Sequence, residues 1–134
     1  MTVKRVFNAN LETMPDIMDF IEGLISNLPE KAAFDMRLCC EEVLMNIASY
    51  AYPNGDGQLE ILWEDETEQR KLKVIFEDSG IPCDPRQKEE PELKIPMREK
   101  KIGGLGIMMV RQRMDTVDYL YADGKNRLTV TMVY

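Results

Sequence analysis

The strongest constraint on the fold is residues 30–52, a run without proline or glycine that predicts one long helix. Turned at about 100° per residue, the run carries two polar stripes, whereas an ordinary surface helix has one. The first stripe consists of Glu30, Arg37 and Glu41, and the second of Asp35, Glu42, Asn46 and Ser49, with Phe34, Leu38 and Met45 between them. One stripe can face solvent, so the other needs polar partners.

Within the second stripe, Glu42 and Asn46 are four residues apart, and this spacing directs both side chains at one place. Because a carboxylate or an amide between apolar flanks costs free energy unless it is paired, we expect a metal, a ligand or a polar network beside them. Their oxygens are of the kind that Mg²⁺ binds. Alone, the E-x-x-x-N pattern also fits a helix with partly exposed polar residues, so other motifs must decide.

Composition limits the classes of function. The 134 residues suggest one domain, whose folding would bury about two thirds of the surface of the unfolded chain. A net charge of −7 disfavours direct binding of nucleic acid, and the absence of histidine excludes histidine-based triads and zinc sites. Three cysteines, an odd count, predict reduced thiols. With neither a membrane span nor a signal-peptide core in the sequence, we expect a cytoplasmic protein.

Alternating and helical patterns divide the rest of the chain into strands and helices. The predicted elements are an edge strand at 3–7, an amphipathic helix at 11–28, strands at 58–64 and 71–77, a helix that follows a glycine-rich stretch and continues through 114, and strands at 117–122 and 127–134. The two middle strands form an antiparallel hairpin with Trp63 on its buried face. A turn at residues 123–126 joins the last two strands.

Asp78-Ser79-Gly80 ends the second strand of the hairpin. An aspartate followed by glycine at a strand end is common in turns, so this motif alone is weak. Residues 84–102 follow soon after, are rich in charge and proline, and show little periodicity. We expect them to form a loop of the length of an active-site lid.

Glycine occupies three of four positions directly before a helical run, in the order Gly103, Gly104, Leu105 and Gly106. Backbone N–H groups at a helix N-terminus form an anion site, although a flexible hinge with a cap fits the same residues. A helix end contributes about 0.3–1 kcal/mol per charge, whereas micromolar binding needs about 8 kcal/mol. A phosphate ligand would therefore also need Mg²⁺, basic groups and a pocket for a base.

The order of these motifs is more specific than any one of them. A helix with Glu42 and Asn46, a hairpin ending in Asp78 and Gly80, a variable lid and a glycine-rich helix start together resemble the GHKL superfamily of gyrase, heat-shock 90 chaperones and histidine kinases. More narrowly, the chain resembles the small anti-sigma-factor serine/threonine kinases. The resemblance covers nearly the whole chain and implies a single histidine kinase-like ATPase domain over residues 1–134, with an ATP lid at 84–102.

We accordingly expect an α+β fold, a two-layer α/β sandwich of the Bergerat type, with helices on one face of a mixed, mostly antiparallel sheet. ATP would lie between the long helix and the lid. The other face of the sheet would be partly open, and the resemblance suggests homodimerisation through this face or through the first strand.

The resemblance also implies a role for each motif. Glu42 matches the base that acts toward a substrate serine, and Asn46 matches the ligand of Mg²⁺. Asp78 matches the aspartate that accepts from the adenine amino group, and Gly80 permits close approach to the base. The phosphate-side loop corresponds to Gly103, Gly104, Leu105 and Gly106. Phosphoryl transfer asks mainly for positioning and charge neutralisation, which this set could supply with ATP and Mg²⁺.

The chain departs from the family pattern in several places. The D-x-G-x-G motif of the superfamily reads DSGIP at residues 78–82, as suits the small-kinase subgroup, and Cys83 stands where an aromatic residue is frequent. Ser49-Tyr50 occupies the region in which members often have a histidine. The candidates to contact the γ-phosphate are Arg98, Lys100 and Lys101, of which Lys101 is preferred because it adjoins the glycines.

Two functions follow from the resemblance. The first is an ATP-dependent anti-sigma-factor-type kinase that binds a sigma factor or similar regulator and phosphorylates a serine-bearing antagonist protein. The second is a nucleotide-dependent protein-binding switch that transfers no phosphate. A structural α/β domain without a nucleotide is the remaining alternative. Direct nucleic-acid and membrane partners are not expected.

Overall fold

The computed structural model describes residues 1–54, 56–87 and 103–134. In these ranges the chain forms five strands and three α-helices. The strands are Thr2–Asn8 (β1), Gln58–Glu66 (β2), Lys71–Asp78 (β3), Thr116–Ala122 (β4) and Lys125–Val133 (β5), and the helices are Met14–Ile25 (α1), Glu30–Asn46 (α2) and Gly103–Arg113 (α3).

The strands form one sheet in the order β1-β2-β3-β5-β4, and every pairing between neighbouring strands is antiparallel. The predicted α+β class is confirmed, but the described strands include no parallel pair, so the sheet is antiparallel where we expected a mixed one. Short turns join β2 to β3 and β4 to β5, and such turns can connect only antiparallel neighbours. The first strand lies at an edge, as its basic residues predict.

The three helices pack on one face of the sheet. Trp63 on β2 is fully buried there, which confirms its prediction as a core residue, and Phe76 on β3 is buried beside the same helices. The helical part of the core is made by Ile17, Ile21 and Ile25 of α1, Met36, Cys40 and Leu44 of α2, and Val110 of α3. The opposite face carries ion pairs such as Lys4–Glu60 and Lys73–Glu64, so the fold has two layers.

The central helix differs from its prediction in two respects. The α-helix ends at Asn46 and continues as a π-helical segment, Ile47–Ala51. A π-helical turn is rare and is frequently found at functional sites. Between the two polar stripes, Phe34 and Met45 are 53% and 37% exposed, so the second stripe is not enclosed by buried apolar residues on that side.

Candidate functional site

A cleft opens between the end of α2 with its π-helical segment and the ends of β3, β5 and β4. Its empty volume is about 690 Å³, including the space at its open mouth. Three predicted site residues, Glu42, Asn46 and Asp78, line the cleft together. Its apolar walls include Val43, Ile47, Phe76, Ile107 and Leu128.

Asp78 is the last residue of β3 and is 6% exposed. Its Oδ1 accepts hydrogen bonds from the backbone N–H of Gly80 at 2.8 Å and from Nδ2 of Asn126 at 3.0 Å. Burial raises the pKa of Asp78, and these two hydrogen bonds oppose that rise. Within the described part of the chain Oδ2 accepts no hydrogen bond, so this oxygen is an unused acceptor.

Asn126 on β5 is the hydrogen-bonding centre of this end of the cleft, and it is 7% exposed. Besides Asp78, its Nδ2 donates to the carbonyl oxygens of Ile81 at 2.9 Å and Gly80 at 3.3 Å. Its Oδ1 accepts from the Tyr119 hydroxyl and from the backbone N–H of Cys83 at 3.2 Å. One amide therefore joins β3, β4 and the chain that leaves β3.

Glu42 and Asn46 lie on the α2 side of the cleft. The Oε2 atom of Glu42 is buried and has no hydrogen-bond partner among the described residues. Burial, together with the neighbouring charge of Glu41, raises the pKa of Glu42. Of the three partners expected from the sequence, a polar network around this carboxylate is not found in the described ranges.

Gly80 has a packing role that the sequence did not suggest. A Cβ built on Gly80 would lie 2.7 Å from both the carbonyl carbon and the Cβ of Ala51, and closer still to the Ala51 carbonyl oxygen. That oxygen accepts a hydrogen bond from the N–H of Ile81 at 2.9 Å. Tyr52 strengthens the same junction, since its hydroxyl accepts from the N–H of Ser79 at 2.7 Å. The absence of a side chain at Gly80 therefore lets the chain after β3 contact the end of the π-helical segment; its approach to a purine remains a prediction.

Asp35 belongs to the predicted second stripe but does not line the cleft. Its carboxylate is buried and binds Lys31 at 3.0 Å and Arg113 at 2.7 Å. Arg113, on α3, also lies 5.5 Å from the ring centre of Phe34. Burial alone would raise the pKa of Asp35, but the hydrogen bonds from Lys31 and Arg113 outweigh it and the pKa is lowered. This cluster joins α2 to α3 and is structural.

The phosphate side of the predicted site is only partly described. Arg98, Lys100 and Lys101 lie outside the described residues, as does most of the predicted lid, so Lys101 remains a prediction. The glycine-rich stretch, Gly103 to Gly106, forms the first turn of α3 rather than a loop before it. At the described start of the lid, Asp84 and Arg86 form a 2.8 Å ion pair, and Arg111 of α3 donates to the Arg86 carbonyl at 3.4 Å.

Sequence reasoning missed Asn126 and Tyr119. Asn126 was predicted to lie in the final turn, but β5 begins at Lys125 and its register places Asn126 opposite Asp78. The available signal was a polar residue near the start of one strand and an aspartate at the end of its neighbour. This signal can be interpreted only when the strand register is known, and the sequence alone did not supply the register.

Comparisons with known proteins agree with this geometry. The sequence model described as "Histidine kinase-like ATPase domain" matches residues 7–134. The chain therefore belongs to the histidine kinase-like ATPase domain family. It is 33% identical over 98 residues to the serine/threonine-protein kinase BtrW of Bordetella bronchiseptica, a match that covers 73% of this chain and 68% of that protein.

A second relative is the serine-protein kinase RsbW of Bacillus cereus, which is 28% identical over 105 residues. That match covers 73% of this chain and 61% of RsbW. Among solved structures, the histidine kinase domain of the blue-light activated histidine kinase of Erythrobacter litoralis is similar, with a TM-score of 0.59 over 90% of this chain and 59% of that one. At 16% identity this likeness shows the fold alone.

Two features of the described residues bear on partners. None of their helices combines the length and the apolar character needed to cross a membrane. Nor do they contain a group of three or more cysteine, aspartate or glutamate side chains that could by itself hold a metal ion.

Proposed function

We propose that this protein is an ATP-dependent serine/threonine kinase of the anti-sigma-factor type. The observation that carries the proposal is that two carboxylates line the cleft from opposite sides, and each has an oxygen that accepts no hydrogen bond from the described residues. One is Asp78, whose Oδ2 accepts nothing from the described residues, and the other is Glu42, whose Oε2 is buried without a partner there. The names of BtrW and RsbW support the reaction class.

In this proposal the purine binds at the Asp78 end, where Oδ2 accepts a hydrogen bond from the 6-amino group. The apolar walls contributed by Phe76 and Leu128 would contact the ring faces, since nucleotide sites are mostly apolar with a few polar groups. The triphosphate would extend toward α3, whose glycine-rich first turn offers backbone N–H groups. Lys101 would contact the γ-phosphate.

Asn46 fits Mg²⁺ because it lines the cleft one helical turn from Glu42 and carries an amide oxygen. Mg²⁺ is usually held by one or two protein oxygens together with phosphates and water, so a cluster of three protein carboxylates is not required. When bound, the ion would neutralise charge on the phosphates. Asn46 and the first turn of α3 would orient the nucleotide.

Glu42 is proposed as the base. As the serine hydroxyl oxygen attacks the γ-phosphorus, the bond from that phosphorus to the bridging oxygen breaks, ADP leaves, and the serine proton passes to Glu42. A carboxylate whose pKa is raised by burial is a better proton acceptor near neutral pH than an exposed one. The partners of the reaction would be a sigma factor or similar regulator and a serine-bearing antagonist.

The test is transfer of labelled phosphate from ATP to a purified candidate antagonist from the same genome, with its acceptor serine changed to alanine as a substrate control. Glu42→Gln should abolish transfer while ATP binding persists. Glu41→Gln is the matched control, because Glu41 is exposed on the neighbouring helix position and its loss removes the same charge. Full transfer by Glu42→Gln would remove Glu42 from the role of base.

The second candidate is a switch that binds ATP and a partner protein without phosphate transfer. The observation that favours it is that Asp78 and the apolar walls line the cleft independently of Glu42, and a switch needs no base. Calorimetry with Mg-ATP followed by mass analysis of the bound partner separates the two. An unmodified partner in a nucleotide-dependent complex favours the switch, and no ATP binding overturns both candidates.

A further inference from the structure

We propose that Asn126 is a positioning residue of the nucleotide site, whose side-chain amide fixes Asp78 so that a single carboxylate oxygen faces the purine. The inference rests on the proposed function, because it takes Asp78 as the acceptor for the 6-amino group. It begins from placement: Asn126 lies directly opposite Asp78 in the β3–β5 pairing and both side chains are buried.

The orientation of the Asn126 amide is determined by its surroundings. Three acceptors face its Nδ2 end, namely Asp78 Oδ1 and the carbonyl oxygens of Gly80 and Ile81. Two donors, the Tyr119 hydroxyl and the Cys83 N–H, face its Oδ1 end. Turning the amide over would place oxygen against oxygen, so one orientation is strongly favoured. With both ends occupied by protein groups, Asn126 acts on a ligand through Asp78 rather than by contact.

The amide controls which carboxylate oxygen is available. Asp78 Oδ1 already accepts from the Asn126 amide and from the Gly80 N–H, so Oδ2 is left for the ligand. A donor held at Oδ1 also favours the ionised form, and an ionised carboxylate only accepts hydrogen bonds. An acceptor-only group attracts a 6-amino substituent and repels the oxygen of a 6-oxo purine. Asn126 thereby sets the discrimination between these two purine classes.

The remaining charges around Asp78 make this donor important. Burial and the adjacent Glu77 both favour the protonated form of Asp78, and the two donors that reach it are neutral. The other titratable groups that line the cleft are acids as well, namely Glu42, Tyr50, Cys83 and Tyr119, and Asp84 beside them is paired with Arg86. No cation among the described residues contacts Asp78, so loss of the Asn126 amide has no local replacement.

Two variants of nearly equal shape test the inference. Asn126→Leu removes both donor and acceptor, whereas Asn126→Asp replaces the donor with a second carboxylate against Asp78 Oδ1. ATP and ITP are the probes, and their affinities are measured by calorimetry across acidic to alkaline pH for wild type, both variants and Asp78→Asn. Circular dichroism verifies that each protein is folded.

At neutral pH Asn126→Leu should bind ATP about 10-fold to 100-fold more weakly, as expected for loss of a hydrogen bond to a charged group, and its preference for ATP over ITP should fall. Asn126→Asp should lose ATP binding at neutral pH and regain it on acidification, because two adjacent carboxyls can share one proton. The ATP affinity of the wild type should change in the opposite direction and fall on acidification, because Asp78 becomes protonated. A residue with only a structural role would not reverse the sign of the pH dependence.

If both Asn126 variants retain wild-type affinity, ATP/ITP ratio and pH profile while Asp78→Asn loses binding, the inference is overturned and the nucleotide site stands. If wild type binds no ATP, the proposed function and the inference fall together. Should the Asn126 variants not fold, Tyr119→Phe takes their place, since it removes the hydroxyl that donates to Asn126 and accepts from the Cys83 N–H. It should raise the pH at which ATP binding is half lost, and an unchanged midpoint overturns the inference.

Discussion

Gly80 lies so close to the backbone of Ala51 that a methyl group on Gly80 would not fit between them. This contact joins the end of the sheet strand that carries Asp78 to the π-helical segment that follows Asn46. It fixes the separation of the two sides of the cleft, because the N–H of Ile81 also donates to the Ala51 carbonyl.

Gly80→Ala should therefore damage both stability and nucleotide binding. The added Cβ would overlap backbone atoms, which cannot move aside as a flexible side chain does, and overpacking of this kind costs about 1–3 kcal/mol. Chemical denaturation should show that loss, and calorimetry should show weaker ATP binding.

Gly23→Ala is the control for Gly80→Ala. Gly23 lies inside α1 and a Cβ there would meet nothing within 4 Å. Since glycine is a poor helix former, this change should stabilise the protein by about 0.5–1 kcal/mol. Equal effects of the two substitutions would contradict the packing argument.

Glu42→Gln should increase stability at neutral pH. The folded protein raises the pKa of Glu42 above its unfolded value, which is about 4.3. Ionisation of Glu42 therefore opposes folding at pH values above the folded pKa, and the penalty disappears below the unfolded one. The variant should be more stable than wild type at neutral pH and should show no gain near pH 3, as measured by urea unfolding across pH. Glu41→Gln should not show this gain, and a pH-independent effect of Glu42→Gln would count against the burial argument.

Asp35→Asn should weaken the junction of α2 and α3. The folded pKa of Asp35 lies below its unfolded value of about 3.9. The stabilisation from its ion pairs is therefore fully present above that unfolded value and is lost as the pH falls through the folded pKa. We expect the variant to lose about 1–3 kcal/mol at neutral pH and to converge with wild type in strong acid.

The two partners of Asp35 should contribute unequally. Arg113 is 35% exposed and also contacts Phe34, whereas Lys31 is 89% exposed and its pair is screened by solvent. Arg113→Met should thus destabilise the protein more than Lys31→Met in the same unfolding assay. The reverse order would contradict the assignment of Arg113 as the link between the helices.

Local patterns were sufficient to predict much of this fold. Alternation in the hairpin placed Trp63 inside, and the prolines and glycines around the central helix marked its start and the turn after it. The E-x-x-x-N spacing and the aspartate at the strand end identified residues that do line one cleft. These predictions succeed because each depends on side chains close in sequence.

Features that depend on distant contacts were not predictable in the same way. Asp35 shares a helical stripe with Glu42, yet Arg113, 78 residues away, pairs with it outside the cleft. The sequence predicts Asn126 to be a turn residue, whereas the strand register places it opposite Asp78. The contact of Gly80 with Ala51 arises from the path of the chain after β3, which periodicity does not encode.

Asp78→Asn provides the sharpest test of the purine end of the cleft. The amide replaces one carboxylate oxygen with a donor, and the protein donors at Oδ1 direct that new donor to the ligand side. ATP affinity should fall about 10-fold to 100-fold, whereas ITP, whose 6-oxo group accepts, should lose much less. Glu77→Gln is the matched control, because Glu77 is the adjacent residue of β3, on the opposite sheet face, where it pairs with Lys125 and Arg127. An equal loss of ATP affinity in both variants would show that charge near the strand end, rather than the acceptor in the cleft, governs nucleotide binding.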